Sequence, residues 1–385
     1  MKRRIRMGMY GGGRDGFIGA IHRRAALMDS SIELVCGCFS YDAEISRMSA
    51  ADYFVAQERV YATYEEMISC EAKLPEGERM DFIAIVTPNH LHFGPAKMAL
   101  EAGFDVIMDK PITRSLEEAL ELREILYRTG RTLALTHTYT GYPAVKEMRE
   151  QIAGGAIGKV RKIFVNYIQG WLHERVELID GSNAGWRTDP SRSGKGGAMG
   201  DIGIHALNLA EYATGLKCVE LCADLKATLA GRVLDDDGAA LLRFDNGATG
   251  ILTATQIATG EENDLSIRIY GERGGFKWRQ EEPNTLIKLH PDRPAEYIRT
   301  GNGYMGFRAK CNTRTPGGHP EGFIEAFANI YRNFAATLSA RIYGETVKPE
   351  WLDFPGIEEG VRGMQFIEST VESSAQGKWI NWIEK

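Results

Sequence analysis

Apolar positions change rhythm once along this chain. Through the first 135 residues, short apolar runs alternate with stretches of helical period. Residues 5–10 read as a strand ending at glycines, 18–27 as a helix, 32–39 as a second strand and 43–53 as a second helix. Phe82–Val86 is continuously apolar, the pattern of a strand covered on both faces of a parallel sheet. Residues 106–108 and 132–135 read as further strands, and the helix between them opens with Ser115 and Glu118, a capping box. Such alternation predicts a doubly wound sheet with its ligand crevice at the carboxyl ends of the strands.

After Thr136 the pattern becomes that of half-buried strands. A helix over 144–152 leads into alternating stretches at 160–167, 219–229, 239–244, 249–257 and 265–270. Asn246-Gly247 predicts a two-residue hairpin turn, residues 273–275 a second turn, and the polar segment 309–320 a loop. Helices at 323–338 and 357–374 close the chain. The expected class is α/β with two domains, 1–136 and 137–385, the second an α+β domain with a large open-faced, mostly antiparallel sheet. A sheet with one free face suggests a subunit interface, hence a homo-oligomer, dimer or tetramer.

Composition narrows the partners. The chain has 385 residues, 43% hydrophobic and 25% charged, with net charge −6, which offers no field for nucleic acid or anionic lipid. Lys2, Arg3, Arg4 and Arg6 resemble the head of an export signal, but only residues 7–10 follow before Gly11. No run approaches the ~18 apolar residues of a membrane span, so a cytoplasmic protein with no membrane partner is expected. Cys36 and Cys38 share one face of a strand, and Cys218 and Cys222 lack a second pair at zinc spacing. The six cysteines read as buried thiols.

Gly11-Gly12-Gly13 follows the first strand and precedes a helix, a setting in which backbone N–H groups cradle a pyrophosphate. Gly16 completes G-x-G-x-x-G, yet Gly19 precedes the helix body, so the loop reads as three residues longer than the fingerprint. The carboxylate expected after the second strand is replaced by Ser40, either a strand-end turn residue or a cofactor contact, with Asp42 and Arg47 further on. NAD and NADP both stay open, with NAD slightly favoured. His90 and His92 lie in a loop entering a helix, where their rings diverge; capping or ribose contact suits them better than a metal, and no metal site is expected.

Lys110 stands in Asp109-Lys110-Pro111, and Asp201 and His205 lie four apart behind a glycine-rich loop. An ammonium, a carboxylate and an imidazole are what is needed to take a proton from a secondary alcohol while its carbon loses hydride. Singly, His205 would pass for a core histidine and Lys110 for a solvated strand-end charge; in combination they point to catalysis. The glycine loop, Thr87-Pro88-Asn89 with His92, Asp109-Lys110-Pro111, and the run from Gly196 to His205 recur in that order in the Gfo/Idh/MocA oxidoreductases, which the chain resembles over nearly its whole length. The resemblance implies a Rossmann domain, an open-faced α/β domain, and NAD(P)-dependent oxidation of sugars or cyclitols. It places catalysis on Lys110, Asp201 and His205 and implies that Pro111 is cis; the cofactor is expected against Gly11, Gly13, Gly16, Gly19, Ser40, Thr87, Pro88, Asn89, His92, Asp109 and Lys110. Asp109 departs from the family's glutamate by one methylene.

Trp171, Trp186 and Arg187 precede the catalytic loop and offer faces for sugar C–H surfaces, or serve as packing. Tyr142 and His319 are candidate hydroxyl-binding groups, with Tyr139 and His173 behind them. The expected function is hydride transfer between a ring secondary hydroxyl of a sugar, glycoside or cyclitol and the nicotinamide; the run from Trp186 to His205 also resembles members acting at C3 of glucosides. The alternatives are a nicotinamide-recycling sugar oxidoreductase, a non-catalytic NAD(P)-binding regulator, and a metal-dependent isomerase using His90, His92, His137, Asp201 and His205.

Overall fold

Five consecutive buried apolar residues suit a strand covered on both faces, and Phe82–Val86 is one. The computed structural model describes residues 2–14, 16–179 and 185–382. It divides into two units, Met1–Thr138 with Phe327–Val361, and Tyr139–Ala326 with Arg362–Lys385. Where one boundary was expected after residue 136, the chain changes unit three times.

Unit 1 alternates strand and helix: β1 (Ile5–Gly11), α1 (Phe17–Leu27), β2 (Ile32–Cys38), α2 (Ala43–Asp52), α3 (Tyr64–Glu71), β3 (Phe82–Val86), α4 (Phe93–Glu101), β4 (Asp105–Met108), α5 (Leu116–Thr129) and β5 (Leu133–Leu135). Among the described residues these strands form one parallel sheet in the order β2-β1-β3-β4-β5, the expected doubly wound arrangement. The capping box at α5 is offset: Ser115 accepts from the Glu118 N–H at 3.3 Å, but the Glu118 carboxylate reaches back to the Arg114 N–H at 3.1 Å. Thr63 and Glu66 cap α3, a helix absent from the sequence reading, in the same offset way. Phe334 of the returning segment meets Phe82 edge-on with centroids 5.2 Å apart, and the Pro355 carbonyl accepts from Leu135 N–H at 2.8 Å, covering the β5 edge.

Unit 2 comprises α6 (Pro143–Ala153), β6 (Val160–Ile168), α7 (Pro190–Ser193), a π-helical turn (Met199–Gly203) running into α8 (Ile204–Thr214), then β7 (Cys218–Lys226), β8 (Asp237–Phe244), β9 (Thr249–Thr255), β10 (Asp264–Gly271), β11 (Gly275–Arg279), β12 (Thr285–Leu289), β13 (Glu296–Arg299) and α9 (Phe307–Cys311). Two long helices, α10 (Phe323–Ile342) and α11 (Ile357–Gln376), precede β14 (Ile380–Asn381). The described strands form a nine-stranded sheet, β13-β12-β11-β10-β6-β9-β8-β7-β14, antiparallel except for the pair β6–β9. Burial alternates along β8, with Ala240, Leu242 and Phe244 inside and Leu241 and Arg243 outside. The inner face packs on α6 and α8.

Two local expectations change. The β8–β9 hairpin is a three-residue loop: Gly247 N–H donates to Phe244 O at 2.9 Å, with Gly247 at φ +86°. Asn246 keeps a negative φ because its side chain accepts from Ala248 N–H at 2.8 Å and donates to Val160 O at 3.1 Å. The polar segment 309–320 begins as the end of α9 rather than as loop. The first N–H groups of α9 are satisfied by Glu150 of α6, at 3.1 Å for Phe307 and 2.8 Å for Arg308, a cap supplied from far along the chain.

A buried charge cluster fixes the segment that carries Trp171. Arg232 pairs with Glu177 at 3.0 Å and Asp236 at 3.1 Å, and donates to the carbonyls of Leu172 and Glu174, each at 2.7 Å. Arg232→Ala removes the cation paired with buried Asp236 and leaves Glu177 to Arg175 alone, and an expected loss of about 3–5 kcal/mol follows, measurable as a lowered urea midpoint.

Candidate active site

Backbone crowding explains the glycine loop. Gly11 (φ +79°) and Gly12 (φ +69°) take left-handed backbone at the end of β1. A Cβ on Gly11 would stand 2.3 Å from Val86 O, and one on Gly19 would stand 2.4 Å from Gly12 Cα. Gly19 therefore provides the close contact of α1 with the loop, while Gly16 is the N-cap of α1 and donates to Gly13 O at 2.9 Å. A side chain on Gly13 would meet Phe39 O at 2.9 Å. Gly11, Gly12, Gly13 and Gly16 thus offer backbone without side chains before a helix with no side-chain cap, which suits a pyrophosphate. Arg23, which sequence reasoning missed, lies 3.6 Å over the Tyr53 ring and donates to Gly12 O, holding the loop from behind. At the end of β2, Ser40 accepts from Asp42 N–H at 3.1 Å. Asp42 is itself the N-cap of α2, accepting from Glu44 and Ile45 N–H at 2.8 and 3.0 Å.

The Lys110-Pro111 peptide bond is cis, as the resemblance implied. His92 is fully buried, its two ring nitrogens each 2.8 Å from a carbonyl oxygen, of Pro111 and of Thr87. Its ring thus ties the Thr87-Pro88-Asn89 loop to the Lys110-Pro111 segment from behind; Asn89 is buried with it. Asp109 accepts from Thr136 Oγ1 at 2.6 Å and lies 3.1 Å from His22 Nε2, whose Nδ1 is 2.7 Å from the Tyr331 hydroxyl. Nε2–H donates to Asp109, and Nδ1 shares a hydrogen bond with the Tyr331 hydroxyl. Burial alone would raise the Asp109 carboxyl, but the neighbouring His22 and its hydrogen bonds outweigh that and hold it at about 2. Burial, and then the positive charge of Lys110, push His137 down to about 3, so this ring is neutral near pH 7.

In unit 2 Asp201 rides on the π-helical turn and His205 on the first turn of α8, rather than both on a helix starting at Ile202. Asp201 N–H donates to Gly197 O at 2.8 Å, and its carboxylate accepts from Gln256 Nε2 at 2.8 Å. A π turn advances about 4.4 residues, so Asp201 and His205 stay roughly one turn apart. The His205 ring, 8% exposed, meets Tyr139 edge-on at 5.0 Å and Tyr167 at 6.2 Å. Glycines precede the turn because a Cβ on Gly197 would stand 1.9 Å from Asp235 O. Asp235 caps the turn, accepting from Gly197 and Met199 N–H at 2.6 and 2.7 Å.

Trp171 is 36% exposed and donates to Gln169 Oε1 at 3.0 Å, while the Arg187 guanidinium lies 4.4 Å over Trp186 and 6.0 Å from Trp171. Tyr142 is a core residue behind Tyr139, 2% exposed, with its hydroxyl 3.4 Å from Gln280 Nε2. His319 lies exposed on a turn and His173, also exposed, is 2.6 Å from Gly170 O. Sequence reasoning missed Gln169, Gln256, Asn263 and Tyr167. The first three directly follow β6 and β9 and precede β10, which are neighbours in the sheet, so only strand order reveals that they meet. Among the described residues no group of three or more His, Cys, Asp or Glu side chains is disposed to hold a metal. No described helix is long and apolar enough to cross a membrane.

A glycine cradle on a parallel sheet and an Asp/His turn over an open sheet define a dinucleotide-binding oxidoreductase. Residues 5–137 match the oxidoreductase family with an NAD-binding Rossmann fold, and residues 145–277 match the GFO/IDH/MocA C-terminal domain. The chain belongs to the Gfo/Idh/MocA oxidoreductase family, and its first unit is an NAD-binding Rossmann domain. It is 31% identical over 384 residues to oxidoreductase YfiI of Bacillus subtilis, covering 99% of this chain and 96% of that one. It is 27% identical over 332 residues to levoglucosan dehydrogenase of Pseudarthrobacter phenanthrenivorans, covering 78% and 79%. The structure of an inositol dehydrogenase homolog of Azotobacter vinelandii complexed with NAD+ superposes with TM-score 0.93 at 32% identity, covering 99% and 98%; the same protein has been seen with NADH and myo-inositol.

Because the Asp109 carboxyl sits below its ordinary 3.8, its ionised form stabilises unit 1 above that pH, and the contribution is lost as pH falls from 3.8 toward 2. The contribution is about 2 kcal/mol. Urea unfolding at about pH 5 and about pH 3 is expected to show Asp109→Asn losing less stability on acidification than the wild type.

Proposed function

We propose that this chain is an NAD-dependent dehydrogenase for a ring secondary hydroxyl of a cyclitol, sugar or glycoside, with Lys110, Asp201 and His205 as its catalytic residues. The observation that carries the reading is Asp201 held by Gln256 at 2.8 Å, one turn before a His205 ring packed by two tyrosines. A carboxylate so fixed supports an imidazolium. His205 takes the hydroxyl proton, Asp201 orients the ring and stabilises the charge it acquires, and Lys110 donates a hydrogen bond to the same substrate oxygen. The nicotinamide, when bound, supplies the hydride acceptor. Gly11, Gly13, Gly16 and Gly19 hold the pyrophosphate, with Ser40 and Thr87-Pro88-Asn89 toward the ribose groups. Trp171 and Trp186 present ring faces to substrate C–H surfaces, with Arg187 stacked beside them. A relative seen with NADH and myo-inositol, and another named levoglucosan dehydrogenase, support a polyhydroxylated ring as substrate. Within that class, C3 of a glucoside is the finer reading.

The outer face of the nine-stranded sheet exposes Leu241 and Val219, and we read it as the surface by which copies associate.

The test is a panel of inositols, anhydrosugars, aldoses and glucosides with NAD and with NADP, following the absorbance of reduced nicotinamide. Oxidation of at least one ring polyol with NAD is expected. His205→Asn should lower kcat about 10²–10⁴-fold and Lys110→Ala about 10²–10³-fold, with NAD binding retained. A folded, NAD-binding protein silent across the panel overturns the reading.

A further inference from the structure

Gln256 is a buried polar side chain, 2% exposed, with its backbone groups and its side-chain NH₂ all hydrogen-bonded. Its N–H donates to Asp236 O and its carbonyl accepts from Leu172 N–H, both at 2.9 Å. Its side-chain amide donates to Asp201 Oδ2 at 2.8 Å and to Gln169 Oε1 at 3.3 Å. Gln169 Oε1 also accepts from Trp171 Nε1 at 3.0 Å, and Gln169 Nε2 donates to Asn263 Oδ1 at 2.7 Å. The ends of this ladder fix its direction. Indole N–H can only donate and a carboxylate can only accept, so neither glutamine amide can flip without breaking a bond. Beyond Asn263 the ladder closes on a ring: Asn263 Oδ1 accepts from Tyr167 at 2.8 Å, its Nδ2 donates to Tyr139 at 3.4 Å, and the two tyrosine hydroxyls bond each other. These are the tyrosines that pack His205.

We propose that Gln256 is a positioning residue for this site: one planar NH₂ group fixes the Asp201 carboxylate and, through Gln169, sets Trp171 in register with it. This rests on the reading of Asp201 and His205 as catalytic. The two N–H bonds of that group point about 120° apart, so Asp201 and Gln169 cannot shift independently. A ring stacked on Trp171 is thereby placed relative to the proton-accepting pair. Removing the donor leaves the Asp201 charge less well stabilised, which raises its protonation range. The titratable groups near that charge are His205 on α8, Tyr139 on the turn before α6 and Tyr167 on β6. Burial, with the Asp201 charge adding to it, keeps both tyrosines neutral.

Gln256→Met keeps the volume and deletes the donor. Its kcat should fall about tenfold to a hundredfold, with KM for the ring substrate within about threefold of wild type. The acidic limb of kcat/KM should move up by about one pH unit. In the ¹⁵N–¹H spectrum of the NAD-bound full chain, the Trp171 indole cross-peak, assigned by its loss in Trp171→Phe, should shift. Gln169→Met, which breaks the ladder one link farther out and serves if Gln256→Met does not fold, should move the same cross-peak and leave the acidic limb in place. An unmoved Trp171 cross-peak overturns the ladder whether or not the panel yields activity. A moved cross-peak with kcat and the acidic limb unchanged overturns the positioning of Asp201. Failure of the wild type to oxidise any ring polyol removes the dehydrogenase reading instead, and the cross-peak still decides the ladder.

Discussion

The parallel pairing of β6 with β9 governs where unit 2 keeps its chemistry. Every other neighbour in that sheet runs antiparallel, so a chain end or a tight turn would normally follow each strand. Parallel alignment sends the carboxyl ends of β6 and β9 to one edge, and antiparallel β10 brings its amino end there as well. Gln169, Gln256 and Asn263 project from that edge as a connected set of amides. Each has a hydrogen-bonding partner, so burial costs little and confers a defined geometry. The π-helical turn with Asp201 is tied to this edge by Gln256, and the segment carrying Trp171 is tied to it by Gln169.

Much of this molecule is legible from local pattern. The apolar run Phe82–Val86, the glycines before α1 and the Asp201–His205 spacing declare themselves because each is a rule about neighbours in sequence. What escaped depends on distant partners. Helix α9 forms in a polar, glycine- and proline-rich stretch because Glu150 satisfies its first N–H groups. Asn246 declines the two-residue turn because its side chain has a better bond across the sheet, to Val160. The capping boxes at α3 and α5 are half local: the Thr and Ser hydroxyls act as expected, while the glutamates reach one residue further back.

Unit 1 shows how a buried acid is kept ionised. Asp109 is engaged from two sides by His22 and Thr136. The Tyr331 hydroxyl completes the chain from the returning segment by bonding the other ring nitrogen of His22. Lys110 in turn helps keep His137 neutral. Charge in this region is therefore set collectively, and single substitutions will perturb more than one group.

The capping of α2 by Asp42 constrains how this lineage can change its dinucleotide preference. Asp42, two residues beyond Ser40, already caps the start of α2, and removing it would cost about 0.5–2 kcal/mol. If the adenosine ribose lies at the tip of β2 as proposed, discrimination at its 2′ position has cheaper material in Ser40, whose hydroxyl accepts one 3.1 Å bond within its own turn. Drift in cofactor choice among descendants of this protein should thus leave its mark at residue 40 while residue 42 stays acidic or becomes another capping side chain.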